Sequence, residues 1–250
     1  MPSSATAKLR IAQVTPYAIE DERETNRYVL GLSKALQQRG HEVVIVAPSH
    51  SRKLVKESRA KIKAAAKADN IDGLFDRRSA DGPPVLGIGA ALPFPPAKLG
   101  GTAAVPIDVS RTLEELFQID GFDFVHVHEP FAPSAASTAL RMSFTLNVGT
   151  FHHSAERTLS TQVGRRFVEL FFGRLDARTA INGATRDLVG SYFGGDYSVI
   201  GPGADVPHDR PPKQSGATPE IFIDGVEERA AERIFIRELR QLPAELDWKA

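Results

Sequence analysis

Cysteine is absent from all 250 residues, so neither a disulfide nor a thiolate metal site can form. An excess of either charge is absent too. Lys plus Arg and Asp plus Glu are both 31, and the basic balance that favours nucleic acid is missing. No segment reaches the ~18 apolar residues of a membrane span, and Met1 to Lys8 lacks the apolar stretch of a signal peptide. The expectation is a soluble, cytoplasmic protein that at most touches the inner membrane face. GxxxxGK[ST], GxSxG and HExxH do not occur, which removes P-loop, serine-hydrolase and helical metal-site readings at the motif level.

Hydrophobic residues make up 42% of the chain, enough for one large α/β domain or two small ones. Apolar runs and amphipathic stretches alternate from the start. Strands are expected at Leu9–Val14, Glu42–Ala47, Phe124–His128, Asn147–Phe151, Arg178–Ile181 and Tyr197–Ile200. Helices are expected at Asn26–Arg39 (closed by Gly40 at the C′ position), Ser51–Ala68, Arg111–Ile119 and Thr185–Tyr192. Pro133 can open another, and Val163, Phe167, Leu170, Phe171 and Leu175 mark a longer one. Asn70 to Gly101 reads as loop-rich. This alternation specifies a doubly wound parallel α/β sheet over residues 1–205. A proline-rich linker at 206–219 follows, then a short strand (Glu220–Asp224) and helix (Glu228–Leu242) within 220–250. One strand and one helix cannot bury their own apolar face, so this unit must dock elsewhere.

In such sheets ligands bind at the carboxyl ends of the strands. HVHEP puts His126, His128 and Glu129 at one end, and GTFHHS puts His152 and His153 at the next. Four of the seven histidines therefore sit at two strand ends. The cluster reads as a ligand site; each imidazole alone reads equally well as a hydrogen-bonded residue at a sheet edge. His126 and His128 share a strand face, and with Glu129 or His152 they form the lesser alternative of a metal site, so no metal is expected. The GIG at Gly87–Gly89 begins like a dinucleotide fingerprint, but Pro93, Pro95 and Pro96 follow where a helix should run. Seven basic residues and one acid lie between Arg52 and Lys67. They read either as a solvated helix face or as a patch for anionic lipid or a phosphorylated partner.

These motifs resemble glycosyltransferase family 4, in its phosphatidylinositol mannosyltransferase-like branch. The resemblance lies in TPY (Thr15–Tyr17), LSKALQQRGHEVVIVAP (Leu32–Pro48), FDFVHVHEPFAPS (Phe122–Ser134), GTFHHS (Gly149–Ser154) and GPGAD (Gly201–Asp205), where the family has PNGVD. It implies a GT-B fold, with a Rossmann-like acceptor-side domain here and a donor-side domain beyond. It also implies retaining hexosyl transfer, with His152 at the reacting sugar and His128 to Pro130 shaping the acceptor side. Tyr17, Asn26, His128, Glu129 and His153 are the expected substrate-binding residues. No cofactor is expected beyond a nucleotide-sugar donor. The expected partners are a glycan, glycolipid or small-molecule acceptor and a second glycosyltransferase domain or chain, with membrane contact through Arg52 to Lys67.

Three departures from the family pattern stand beside the match. Arg23 and Glu24 occupy the positions of a glycine pair whose amides approach the donor diphosphate. Glu20, Asp21 and Glu22 add negative charge, and at ~4 Å in an effective dielectric of ~20 each unit pair repels by about 4 kcal/mol. Gly225 and Ala230 stand where the family has an Arg and a Lys for the leaving diphosphate. The donor-domain glutamates do not occur before Ala250. The reading is therefore a family 4-like transferase not active as this chain alone, or a catalytically silent relative acting as a binding module. A metal-dependent hydrolase is a distant third.

Overall fold

Seven parallel strands form one sheet, and a computed structural model places them in the order β3-β2-β1-β4-β5-β6-β7. They are β1 (Arg10–Val14), β2 (Glu42–Ser49), β3 (Val85–Ala90), β4 (Phe124–His128), β5 (Leu146–Phe151), β6 (Ala177–Ala180) and β7 (Ser198–Val199). The helices are α1 (Glu24–Gln38), α2 (Arg52–Ala68), α3 (Ile107–Phe117), α4 (Ala135–Met142), α5 (Gly183–Tyr192) and α6 (Arg229–Leu239). The structure describes residues 7–76, 82–90, 107–130, 134–152, 169, 172–203, 221 and 229–243. Two compact units result, Met1–Gly203 and Ala204–Ala250. The second contributes α6. Most of the expected Glu220–Asp224 strand lies outside the described residues, and Ile221 belongs to no regular element.

The doubly wound parallel architecture is the one that the alternating pattern specifies. Strand alternation sends successive side chains to opposite faces. Ala12, Val14, Val44, Val46, Val125 and Val127 join Ile62, Leu113, Leu116 and Leu140 from α2, α3 and α4 in the main core. On the other face Ile45 and Ala47 pack against Val29 of α1 in a much smaller cluster. Gly40 ends α1 as its composition suggests. Its φ is +93°, and its amide bonds Gln37 O at 3.0 Å while the His41 amide bonds Leu36 O at 3.2 Å. These two bonds close the last turn on its own carbonyls. Ser51 caps α2 by accepting from the Leu54 amide at 3.2 Å, and Ser134 caps α4 in a reciprocal box with Ser137.

One expectation fails. The stretch Asn70 to Gly101, read as loop-rich with no strand expected in it, contains β3, and the GIG lies inside that strand. Two glycines hid it, because a strand interior is identified by side chains that glycine lacks. Here the missing side chain is the structural requirement: a Cβ on Gly89 would sit 2.3 Å from Val109 Cγ2 of α3. The glycines let α2 and α3 press onto the sheet, and they cradle nothing. Helix α3 also starts four residues before the expected Arg111, at Ile107.

Candidate functional site

The strand order reverses between β1 and β4, whose crossovers run to opposite sides. In open α/β sheets the crevice beyond the carboxyl ends at that point is where ligands bind. The ends that meet there carry Thr15 to Tyr17 after β1, and His128 and Glu129 at the end of β4. His152 follows β5 on the adjoining strand.

The sheet face toward α1 is polar where it approaches this point. Gln13, His126, His128, Thr150 and Thr179 are all buried there, while the opposite face of β4 carries Val125 and Val127. They bond from strand to strand, the histidine contacts along diagonals and Thr150 to Thr179 directly across. His126 Nε2 lies 2.6 Å from Thr150 Oγ1, which lies 2.6 Å from Thr179 Oγ1. His128 Nε2 lies 2.7 Å from Gln13 Oε1, and His128 Nδ1 lies 2.9 Å from His152 Nε2. The rings of His126 and His128 stack with centroids 4.3 Å apart. Tyr28 of α1 sets its ring edge-on to His152 at 4.8 Å and to His128 at 5.9 Å. Burial pushes the His126 pKa down to about 4. Burial, then the neighbouring His126 and His152, hold His128 well below the ordinary histidine value. Both rings are neutral at pH 7.

Glu129 adopts a left-handed backbone with φ +54°. For a residue with a Cβ this conformation costs ~1–2 kcal/mol. Two bonds hold it: the Glu129 amide donates to Thr150 O at 3.0 Å, and the Glu129 carboxylate accepts from the His152 amide at 2.9 Å. The turn after β4 thus fixes the backbone entering His152. His128, Glu129 and His152 are brought together, buried to 0%, 9% and 5% exposure.

Tyr17 lies in the β1–α1 loop and Asn26 in the first turn of α1. Asn26 is buried with its side chain committed to the loop: Thr15 Oγ1 donates to its Oδ1 at 2.7 Å, and its Nδ2 donates to Ala18 O at 2.7 Å and Asp21 O at 3.0 Å. Tyr17 lies under Arg23, whose guanidinium carbon is 5.0 Å from the ring centroid. Arg23 is also the N-cap of α1 and makes no side-chain capping bond. The acids ahead of it turn toward the end of β2. Glu20 accepts from the Ser49 hydroxyl and, at 3.1 Å, from the His50 amide, and Asp21 pairs with His50 Nε2 at 2.9 Å. Burial opposes ionisation of Glu20, but the Ser49 and His50 bonds outweigh it and hold the carboxyl below its usual range. His153 lies outside the described residues. No group of three His, Cys, Asp or Glu arranged to hold a metal occurs among the described residues.

The model of Glycosyltransferase Family 4 matches residues 25–207. The chain belongs to that family. A phosphatidyl-myo-inositol mannosyltransferase of Propionibacterium freudenreichii subsp. shermanii is 28% identical over 205 residues, 80% of this chain and 48% of that protein. The like-named protein of Mycolicibacterium smegmatis is 27% identical over 198 residues, 79% of this chain and 45% of that one. This family 4 chain thus spans about half the length of the curated relatives it matches. A sucrose-phosphate synthase from Thermosynechococcus elongatus superposes with a TM-score of 0.44 at 12% identity, covering 78% of this chain and 90% of that one.

Sequence reasoning missed Gln13, Tyr28, Thr150 and Thr179 as parts of the family 4 chain's polar seam. A signal for three of the strands was present. Gln13 and Thr15, His126 and His128, and Thr150 and His152 each interrupt an apolar run two residues apart, on a single face. Two cavities among the described residues lie apart from the histidines. One, of about 330 Å³, is lined by Leu30, Lys34, Lys61 and Pro84 among others. The other, of about 520 Å³, runs along α2 past Arg52, Lys56, Arg59 and Lys63 to Asp108 of α3.

Proposed function

We propose that the Met1–Gly203 unit is the acceptor-side half of a retaining hexosyltransferase, with His152 at the reacting sugar. The observation that carries this reading is the meeting of His128, Glu129 and His152 beyond the carboxyl ends of β4 and β5, beside the switch point, in a family 4 chain. Glu129 and Tyr17 meet the acceptor on this reading, and Asn26 acts by holding the loop that presents Tyr17. The relatives' name includes phosphatidyl-myo-inositol and mannose. We therefore infer a phosphorylated polyol carried on a lipid as the acceptor class and mannose as the sugar. The test is a product assay with GDP-mannose and phosphatidylinositol vesicles, comparing the chain with His152→Ala. Turnover abolished by the substitution supports the reading; turnover indifferent to it removes His152 from the site.

The α2 surface favours the lipid component. Arg52, Lys56, Lys63 and Lys67 recur along its exposed side, and Arg59 beside them is paired with Asp108 at 2.6 Å. Near an anionic surface each such cation contributes ~1 kcal/mol. Replacing Lys56 and Lys63 by Gln should then lower vesicle partitioning by roughly 30-fold. Flotation with phosphatidylinositol vesicles, against neutral phosphatidylcholine, measures this. Equal flotation in both leaves the stripe as a solvated helix face.

A second reading, a silent binding module, is favoured by the β1–α1 loop. Arg23 is laid over Tyr17, and Glu20 and Asp21 are tied to Ser49 and His50. No glycine is available there to bring backbone amides up to a diphosphate. Each lost charge-assisted contact weakens binding by roughly 1.5–3 kcal/mol, so losing the Arg and the Lys in whose places Gly225 and Ala230 stand weakens it by about two to four powers of ten. Calorimetric titration of the chain with GDP- and UDP-sugars should give dissociation constants in the millimolar range or weaker. Micromolar binding would overturn the silent reading.

A further inference from the structure

We propose that Gln13 is a positioning residue for His152: through the His128 ring, its side-chain amide selects which nitrogen of His152 carries the proton. The three side chains form one line across β1, β4 and the end of β5, with contacts of 2.7 Å from Gln13 Oε1 to His128 Nε2 and 2.9 Å from His128 Nδ1 to His152 Nε2. All three are buried, so water does not compete for these bonds.

The direction of each bond follows from elementary chemistry. An amide oxygen only accepts, so His128 Nε2 carries a hydrogen. His128 is neutral, held so by burial and by its histidine neighbours, and has no second hydrogen. Its Nδ1 is then a lone pair. The hydrogen that fills the second contact belongs to His152 Nε2, so of the two neutral tautomers of that ring this contact selects the one with Nδ1 unprotonated. Turning the amide end for end would reverse both bonds and move the His152 hydrogen to Nδ1. Gln13 is the member of the line whose two ends differ in kind, so it sets the direction for the others.

The other end of the same side chain points to this role. Gln13 Nε2 is buried with no hydrogen-bond partner among the described residues. A residue selected to knit strands together would have both ends bonded, since buried polar groups are paired almost without exception. A leucine would fill the same volume with no orphan. What the glutamine adds over leucine is a single oxygen aimed at His128. For a ring that gives or takes a proton, the tautomer decides which nitrogen is basic, as second-layer partners do for metal-bound histidines.

The consequence for transfer rests on the reading of His152 given above; the tautomer does not. The experiment therefore reads the tautomer directly. The full chain, labelled with ¹⁵N-histidine, is examined at pH 7 by long-range ¹H–¹⁵N correlation, with His128→Gln and His152→Gln spectra assigning the rings. Both rings of the unsubstituted chain should carry hydrogen on Nε2. In Gln13→Leu the Nδ1–H form of His152 should rise from under roughly one tenth to about half or more, with the backbone spectrum otherwise retained. Gln13→Met serves if the leucine variant does not fold. An Nδ1–H His152 in the unsubstituted chain, or an unchanged tautomer in a folded Gln13 variant, overturns the proposal. A merely structural glutamine would lower the unfolding midpoint and leave the tautomer alone. A tautomer shift alongside transfer that is indifferent to His152→Ala would sink the reading of His152 and leave the positioning role standing.

Discussion

Lowering the pH from 7 to 4 should destabilise the Met1–Gly203 unit by about 3 kcal/mol through His126 alone. In the fold this ring titrates at about 4, against an ordinary value of 6.5, because it is buried. Between those values the unfolded chain binds a proton that the folded state refuses, so stability falls as pH falls. The His126 contribution is intact above pH 6.5, declines through the interval and levels off below about 4. At ~1.36 kcal/mol per unit the loss reaches about 3 kcal/mol. His128 is shifted in the same direction and steepens the slope. Around His126 stand the Thr150 hydroxyl, which does not titrate in this range, and the His128 ring. Glu20 and Glu42 are held below their usual range and lose their contributions only as the pH drops through the carboxylate region. Urea unfolding followed by circular dichroism at pH 7, 6, 5 and 4.5 measures the slope. His126→Gln, whose amide can still reach Thr150, should unfold with a visibly shallower dependence. Identical slopes for the two proteins would remove His126 as the cause.

The other large effect is expected for Phe151→Ala, a loss of about 3–5 kcal/mol. Phe151 is the largest of the fully buried side chains among the described residues. Its ring meets Tyr197 at 5.9 Å and Phe172 at 6.3 Å between centroids, so truncation opens a cavity walled by rings that cannot collapse into it without leaving their own neighbours. For a domain whose total stability is on the order of 5–15 kcal/mol, this is a large fraction. The unfolding midpoint should drop by on the order of 10 °C. Phe151→Leu keeps most of the volume and should recover more than about half of the loss. A change below about 1.5 kcal/mol for the alanine variant would mean that the cavity collapses freely, contrary to the packing described. Phe151 also bears on the site, because it is the last strand residue before His152 and its partner across the pleat.

Much of the fold was legible because burial imposes simple periods. The strand at Phe124–His128 has the bounds that its apolar run suggests, and α2 begins one residue after the serine that caps it. Both follow from local rules: side-chain alternation in the strand, and orphan amides at a helix start. Strand β3 escaped because Gly87 and Gly89 carry no side chain to mark a period; only the approach of Val109 from α3 explains them. The histidines were legible as a cluster, since two neighbouring strand ends each carry two.

Their partners were not legible. Composition and order alone determined a parallel α/β unit without disulfides, with histidines gathered at two neighbouring strand ends, and the family to which the motifs belong. Which histidine meets which was decided by the register of β4 against β5, which pairs His128 with Thr150 and so sets His152 one diagonal step away. That Gln13 joins them was decided by the pairing of β1 with β4 across 115 positions of sequence. Side-chain period is a property of a single strand, and sequence displays it. Register between strands is the joint outcome of all the packing around them. A polar seam assembled from several strands therefore exists only in the folded sheet.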